Sequence, residues 1–457
     1  MSMPSSIALV LRAAFASLAP PRLAWGALVV IVAVAAGRML DIAYLAMGGR
    51  PVSPSGLAVG GWSDEQRKNA HRSAASAVAA FTLGTAAAQE SIGVESEPSA
   101  MRAALDSAFI ERSEKASSGP PASLESRYRQ IRASIDGLRP RGPSEALGEE
   151  VAAALRRIGA ACVALAPLAV LDAAIDGFWR APSAFVRFAP WYALIAGVPL
   201  AAIVSVLAGG LARMTVWEAG RGVKLGVADA AMFVRAAALR LALVPVLPAA
   251  LVALGLLVMA AIGALLRVPV LDLAGGVLYG LVVLVSFVLV VTSIGFVVGW
   301  PLALASVAAG DGDAVDSLVR ATSYVLRRPG YLVAMAASAI LAVAIGMAVA
   351  GGVAALSLGL AETATGFWGG TVAAQAAGDA GLLGPAVGTP PIDGRTARAA
   401  GAFIDLWELI VVLLVAGAAA SVVVDAATRA YLMLRRACDG QDLSALDGVP
   451  LGRPKVD

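Results

Sequence analysis

Residues 310–333, GDGDAVDSLVRATSYVLRRPGYLV, lie between two apolar runs, about 274–300 and 330–358, each long enough to cross a bilayer. The stretch carries three aspartates, three arginines and a proline. Backbone polar groups in lipid must be satisfied inside the protein, so two such runs with a charged piece between them read as two spans and a polar connector. The connector has helical periodicity of its own. Val315, Leu318, Val319, Thr322, Val325 and Leu326 fall on one face, and Asp316 and Arg320 sit one turn apart with the acid first. Asp311 or Asp313 is placed to cap the start, and Pro329 closes the end. The reading is an amphipathic helix on the cytoplasmic surface that orients the spans around it. Asp316, Arg320, Arg327 and Arg328 are also its candidate contacts to lipid headgroups or to a partner.

Composition extends this to the whole chain. With 59% hydrophobic and 15% charged residues and a mean hydropathy of +0.80, the 457-residue protein is built for lipid. The net charge of +3 is spread over the connectors, which leaves no electrostatic footprint for nucleic acid. His71 is the single histidine, and Cys162 and Cys438 are the two cysteines, so a zinc site, a Ser/His/Asp triad and a structural disulfide all lack support. No P-loop pattern occurs. The sequence therefore assigns no catalytic, cofactor-binding or metal-binding residue.

Six spans are expected, at about 23–45, 189–212, 237–266, 274–300, 330–358 and 404–427. The first is read as a retained helix with Trp25 at its start, preceded by an amphipathic piece at 6–18 on the inner surface. The run IGAACVALAPLAVL, residues 158–171, is too short to cross and is not counted. Basic residues then test the count. Arg213, Arg221, Lys224 and Arg235 fall in one connector, Arg320, Arg327 and Arg328 in a second, and Arg429, Arg435 and Arg436 after the last span, whereas the alternate short connector holds only Arg267. That alternation places both termini in the cytoplasm of an inner-membrane protein.

Residues 46–186 change character, with 15 Lys/Arg and 15 Asp/Glu. Ser63 and Gln66 make a capping box, and Leu124, Tyr128, Ile131, Ile135 and Leu138 form one apolar stripe, as do Leu147, Val151, Leu155 and Ile158. The fold class is thus all-α, a polytopic transmembrane helix bundle of about six spans with a small α-helical extracytoplasmic insertion. Its parts are an interfacial helix and first span at 1–45, the insertion at 46–186, a five-helix membrane region with amphipathic cytoplasmic connectors at 187–435, and a cytoplasmic tail at 436–457. The loop at about 359–403 faces outward, with Phe367 and Trp368 expected at the interface.

Four stretches carry a resemblance. GDAVDSLVRATSYVLRRP, preceded by GWPLALASVAAG, together with AGRMLDIAY in the first span and AYLMLRRACDGQDL near the end, resembles a family of uncharacterised multi-pass bacterial membrane proteins. These carry a similar polar connector between two late spans and a similar arginine-pair tail. The resemblance covers the membrane portion and leaves 46–186 aside. It implies topology and adds no catalytic residue.

Charged residues inside spans are the remaining clue to function. Arg38 lies about four residues past the midpoint of the first span, where an unpaired guanidinium costs on the order of 2–3 kcal/mol. Arg38, Asp41, Asp405 and Glu408 are therefore expected as an outer-leaflet polar cluster. Asp425 can pair with Arg429 one turn on, Gly276/Gly280 and Gly295/Gly299 suit close helix packing, and CDGQDLSALDG reads as solvated tail. The preferred class is a structural, assembly or interaction component that contacts membrane lipids, and other membrane or extracytoplasmic proteins through 46–186. The alternatives are a transporter or channel, which needs polar residues near the midplane of several spans, and a lipid-handling enzyme, which needs convergent acids and bases at one interface.

Overall fold

The computed structural model describes residues 3–53, 56–57, 63–83, 97–115, 122–265, 271–310, 312–376 and 395–441. Among them every regular element is helical, and the only extended pairing is a bridge between Val52 and Arg141. Helices α1 (Met3–Leu11) and α2 (Ala13–Ala16) lead into α3 (Pro20–Ala46), the first span. The insertion supplies α4 (Asp64–Thr82), α5 (Pro98–Lys115), α6 (Ala122–Asp136) and α7 (Pro143–Val163). It continues through α8 (Pro167–Ile175), a π turn at Asp176–Arg180 and α9 (Ala181–Phe188). After the short α10 (Pro190–Tyr192) and a second π turn at Ala193–Gly197 come α11 (Val198–Arg221), α12 (Val227–Leu265) and α13 (Leu271–Ala309). The chain closes with α14 (Ala314–Arg327), α15 (Pro329–Ala376) and α16 (Arg395–Asp439).

Six helices among the described residues are long and apolar enough to cross a membrane. They are the six expected from hydropathy, with segment 158–171 outside the set. The protein is an all-α polytopic bundle. Exposed Leu254, Leu257, Val283, Leu284 and Phe287 on α12 and α13 form the outward apolar surface that a lipid-facing helix pair presents.

Packing divides the insertion. Helices α4–α6 surround a core of their own, with Val78, Phe81, Met101, Leu105, Phe109, Tyr128 and Ile135 nearly or fully buried. The Ser63–Gln66 capping box is formed in both directions. Tyr128 donates to Asp106 at 2.7 Å, and Arg132 bonds both groups at 2.9 Å. Burial, then the hydrogen bond to Asp106, pushes the Tyr128 hydroxyl well above the usual phenol range. Helix α7, by contrast, belongs to the bundle. Its Ile158 is buried among Val343, Ala344 and Met347 of α15 and Val422 of α16.

Close packing centres on one pair of glycines. A Cβ on Gly26 of α3 would overlap the carbonyl oxygen of Gly417 of α16, and one on Gly417 would lie 2.6 Å from the Ala27 nitrogen. This is the small-residue crossing that lets two membrane helices touch backbone to backbone. The glycine steps expected for this role differ: Gly276 and Gly280 meet no described neighbour within 4 Å, and Gly295 and Gly299 make ordinary contacts with Thr322 and Ala321. Helix α1 also departs from expectation. With α2 it is packed into the protein, Val10 of α1 and Ala13 of α2 being fully buried against α15 and α16 residues that include Met335 and Met433.

Candidate functional site

Helices α3, α11 and α16 bring four complementary charges together. Arg22 follows the two prolines that start α3, Glu218 lies in the last turn of α11, and Asp425 and Arg429 sit one turn apart on α16. Arg22 meets Glu218 at 2.9 Å and Asp425 at 2.9 Å, while Arg429 meets Glu218 at 3.5 Å and Asp425 at 3.1 Å. The four groups form a closed ring of alternating sign. The Arg22, Asp425 and Arg429 side chains are at most 4% exposed, and Glu218 is 25% exposed. Beside the ring, Trp25 donates to the Leu207 carbonyl at 2.8 Å and lies against Gly210, where a Cβ would come within 2.6 Å of the indole nitrogen.

A second polar locus lies at the start of α7. Asp41 of α3 is buried, and its two carboxylate oxygens accept from the backbone N–H groups of Ser144 at 3.0 Å and Glu145 at 2.8 Å. The Tyr192 hydroxyl adds a third bond to Asp41 at 2.6 Å and contacts the Ser144 hydroxyl at 2.7 Å. Asp41 thus caps a helix remote in the chain, placing a carboxylate where orphan N–H groups and the helix dipole both favour negative charge. Gly142 is required there, because a Cβ would overlap the Asp41 carboxylate.

Arg213 does the converse at the end of α13. Its guanidinium donates to the Ala308 carbonyl at 2.7 Å and stacks about equally near the rings of Trp217 and Phe233, at 5.1 and 5.0 Å. Expected in an aqueous connector, Arg213 is instead 7% exposed inside α11.

The expected outer cluster can now be placed residue by residue. Arg38 pairs with Glu145 at 3.6 Å rather than with Asp41, whose oxygens are occupied by the cap. The two therefore share a locus through Glu145, a residue of the insertion that hydropathy gave no reason to pair with a span. Glu408 is buried, and the side chain of Asp405 lies outside the described residues. Residues 359–376, expected in an outer loop, continue α15; the side chains of Phe367 and Trp368 lie outside the described residues, as does Asp311. On α14, Asp313 pairs with Arg240 at 3.3 Å and makes no side-chain cap. Asp316 is exposed in the first turn, Arg320 is half-buried, Arg327 lies 4.0 Å from Asp439, and Arg328 is exposed. The α14 face against the protein is Ala314, Ser317, Ala321 and Tyr324, while Val315, Val319 and Leu326 point outward. Asp439, expected in a solvated tail, ends α16 and accepts from Tyr324.

Arg22 and Glu218 escaped the sequence reading because each looked like an ordinary connector charge. The available signal was the Asp425–Arg429 step, which the sequence shows only as a pair one turn apart. Among the described residues no three metal-ligating side chains converge. The acids of the ring and the cap are occupied by guanidinium and N–H donors, an arrangement that holds helices in register. No protein-family profile, no curated protein and no solved structure matches the chain.

Proposed function

We propose that this integral membrane protein is a structural, assembly or interaction component of the inner membrane, with both termini cytoplasmic and α4–α6 as its contact module for other proteins. The observation that carries the reading is the separate core of α4–α6 beside a bundle whose buried charges are engaged in holding helices together. A transporter would keep polar groups available near the middle of several spans. Here the acids and bases of the ring pair with one another, and the Asp41 carboxylate is taken up by the N–H groups of α7. Photo-crosslinking residues placed at exposed Lys68 and Gln130 should yield discrete protein adducts in intact membranes. Maleimide should label Ser126→Cys, in a chain freed of Cys162 and Cys438, from the outer side only. Labelling of Ser126→Cys from the cytoplasm, or efficient photolysis without protein adducts, would refute the proposal.

A further inference from the structure

We propose that the groove between Trp179 and helices α12 and α13 holds an acyl chain of a zwitterionic glycerophospholipid whose headgroup rests on the adjoining Arg157–Asp176–Arg180–Asp172 cluster. The groove has a volume of about 420 Å³ and is lined by Trp179, by Val252, Leu256 and Met259 of α12, and by residues of α13 including Leu289 and Val290. Its only hydroxyls are those of Ser286 and Ser293. Both long walls are membrane-crossing segments, so what covers the opening is the bilayer, and the chemistry that fits an apolar slot facing a bilayer is hydrocarbon.

The headgroup half of the inference comes from what adjoins Trp179. Arg180 is the next residue, on the same π turn, an irregularity common at functional sites. It bonds Asp176 at 2.6 Å and Asp172 at 3.3 Å, and Arg157 reaches Asp176 at 2.7 Å. Two guanidiniums and two carboxylates make this group neutral as a whole while keeping both signs accessible, since Arg157, Arg180 and Asp172 are each more than half exposed. A phosphate fits the arginines and an ammonium fits Asp172, so the matching ligand is itself neutral and carries both charges. Exposed Leu168, Leu171 and Phe178 beside the cluster suit the interface between headgroups and chains.

The test uses the full chain in vesicles of phosphatidylcholine doped with phosphatidylethanolamine carrying a photoreactive group in one acyl chain. Adducts should concentrate on peptides containing Trp179, 252–259 and 286–293, above the level at the equally lipid-facing α15 residues Val353 and Leu356. Ser286→Trp, which fills the slot, should reduce that excess at least fivefold with the chromatographic profile and helicity unchanged. Ser293→Leu provides a second filling variant should the first fail to fold. Arg180→Gln should lower labelling by the phospholipid and leave labelling by a diacylglycerol of the same chains unaltered. Uniform labelling over all lipid-facing helices, or an excess that survives both fillings, overturns the slot. Equal labelling by the diacylglycerol probe, or preference for an anionic phosphatidylglycerol probe, overturns the headgroup assignment. Neither result bears on α4–α6, so failure here is distinguishable from failure of the structural role.

Discussion

The four-charge ring makes a prediction that independent ion pairs do not. Asp425→Asn removes one carboxylate and leaves Arg22 and Arg429, both 3% exposed, facing Glu218 alone. Removing one partner of a buried pair costs about 3–5 kcal/mol, because the remaining charge is left uncompensated. Arg429→Gln unbalances the ring in the opposite sense and should cost a similar amount. The double variant removes one charge of each sign and leaves the Arg22–Glu218 pair at 2.9 Å intact. It should therefore be no less stable than either single variant, with a coupling at or beyond the upper end of the usual range of about 0.5–3 kcal/mol. The measurement is equilibrium unfolding in mixed micelles followed by far-UV circular dichroism, on the wild type, the two single variants and the double. If the double equals the sum of the singles to within about 0.5 kcal/mol, the ring is not an energetic unit and the argument fails.

Three further outcomes follow from the same geometry. Gly26→Ala should destabilise the bundle by at least about 1–3 kcal/mol, since the obstacle is backbone and has no rotamer to yield, whereas Gly276→Ala, with nothing within 4 Å, should be neutral or mildly stabilising in the same unfolding assay. Asp41→Asn should cost about 2–4 kcal/mol, because one amide cannot accept from both helix N–H groups as two charged oxygens do; hydrogen exchange should show the first turn of α7 opening, and unchanged protection there would contradict the cap. The raised Tyr128 hydroxyl favours the neutral form in the fold, so its contribution is complete below the ordinary tyrosine value of about 10 and is lost as pH climbs above it toward the folded-state value. The α4–α6 unit should thus weaken at alkaline pH, followed by phenolate absorbance and helicity, and Tyr128→Phe should flatten that dependence; identical profiles would refute it.

Hydropathy alone determined the number and placement of the six membrane helices, because transfer of each long apolar segment into lipid depends on little beyond that segment. Local signals were equally legible: the Ser63–Gln66 box, the Leu124–Leu138 stripe and the Asp425–Arg429 step all involve residues within a few turns of one another. Tertiary structure alone decided who meets whom across the bundle. That Arg22 reaches Glu218 and Asp425, that Asp41 caps α7, and that Gly26 rather than Gly276 makes the tight crossing all depend on which helices are neighbours and in what register. The hydrophobic pattern of a membrane helix says little about either, since lipid and protein offer its apolar faces nearly the same environment. On α14, too, the sequence marked an apolar face without saying which residues meet the protein. Small residues such as Ala314 and Ala321 do the packing there, and Val315, Val319 and Leu326 are left outside.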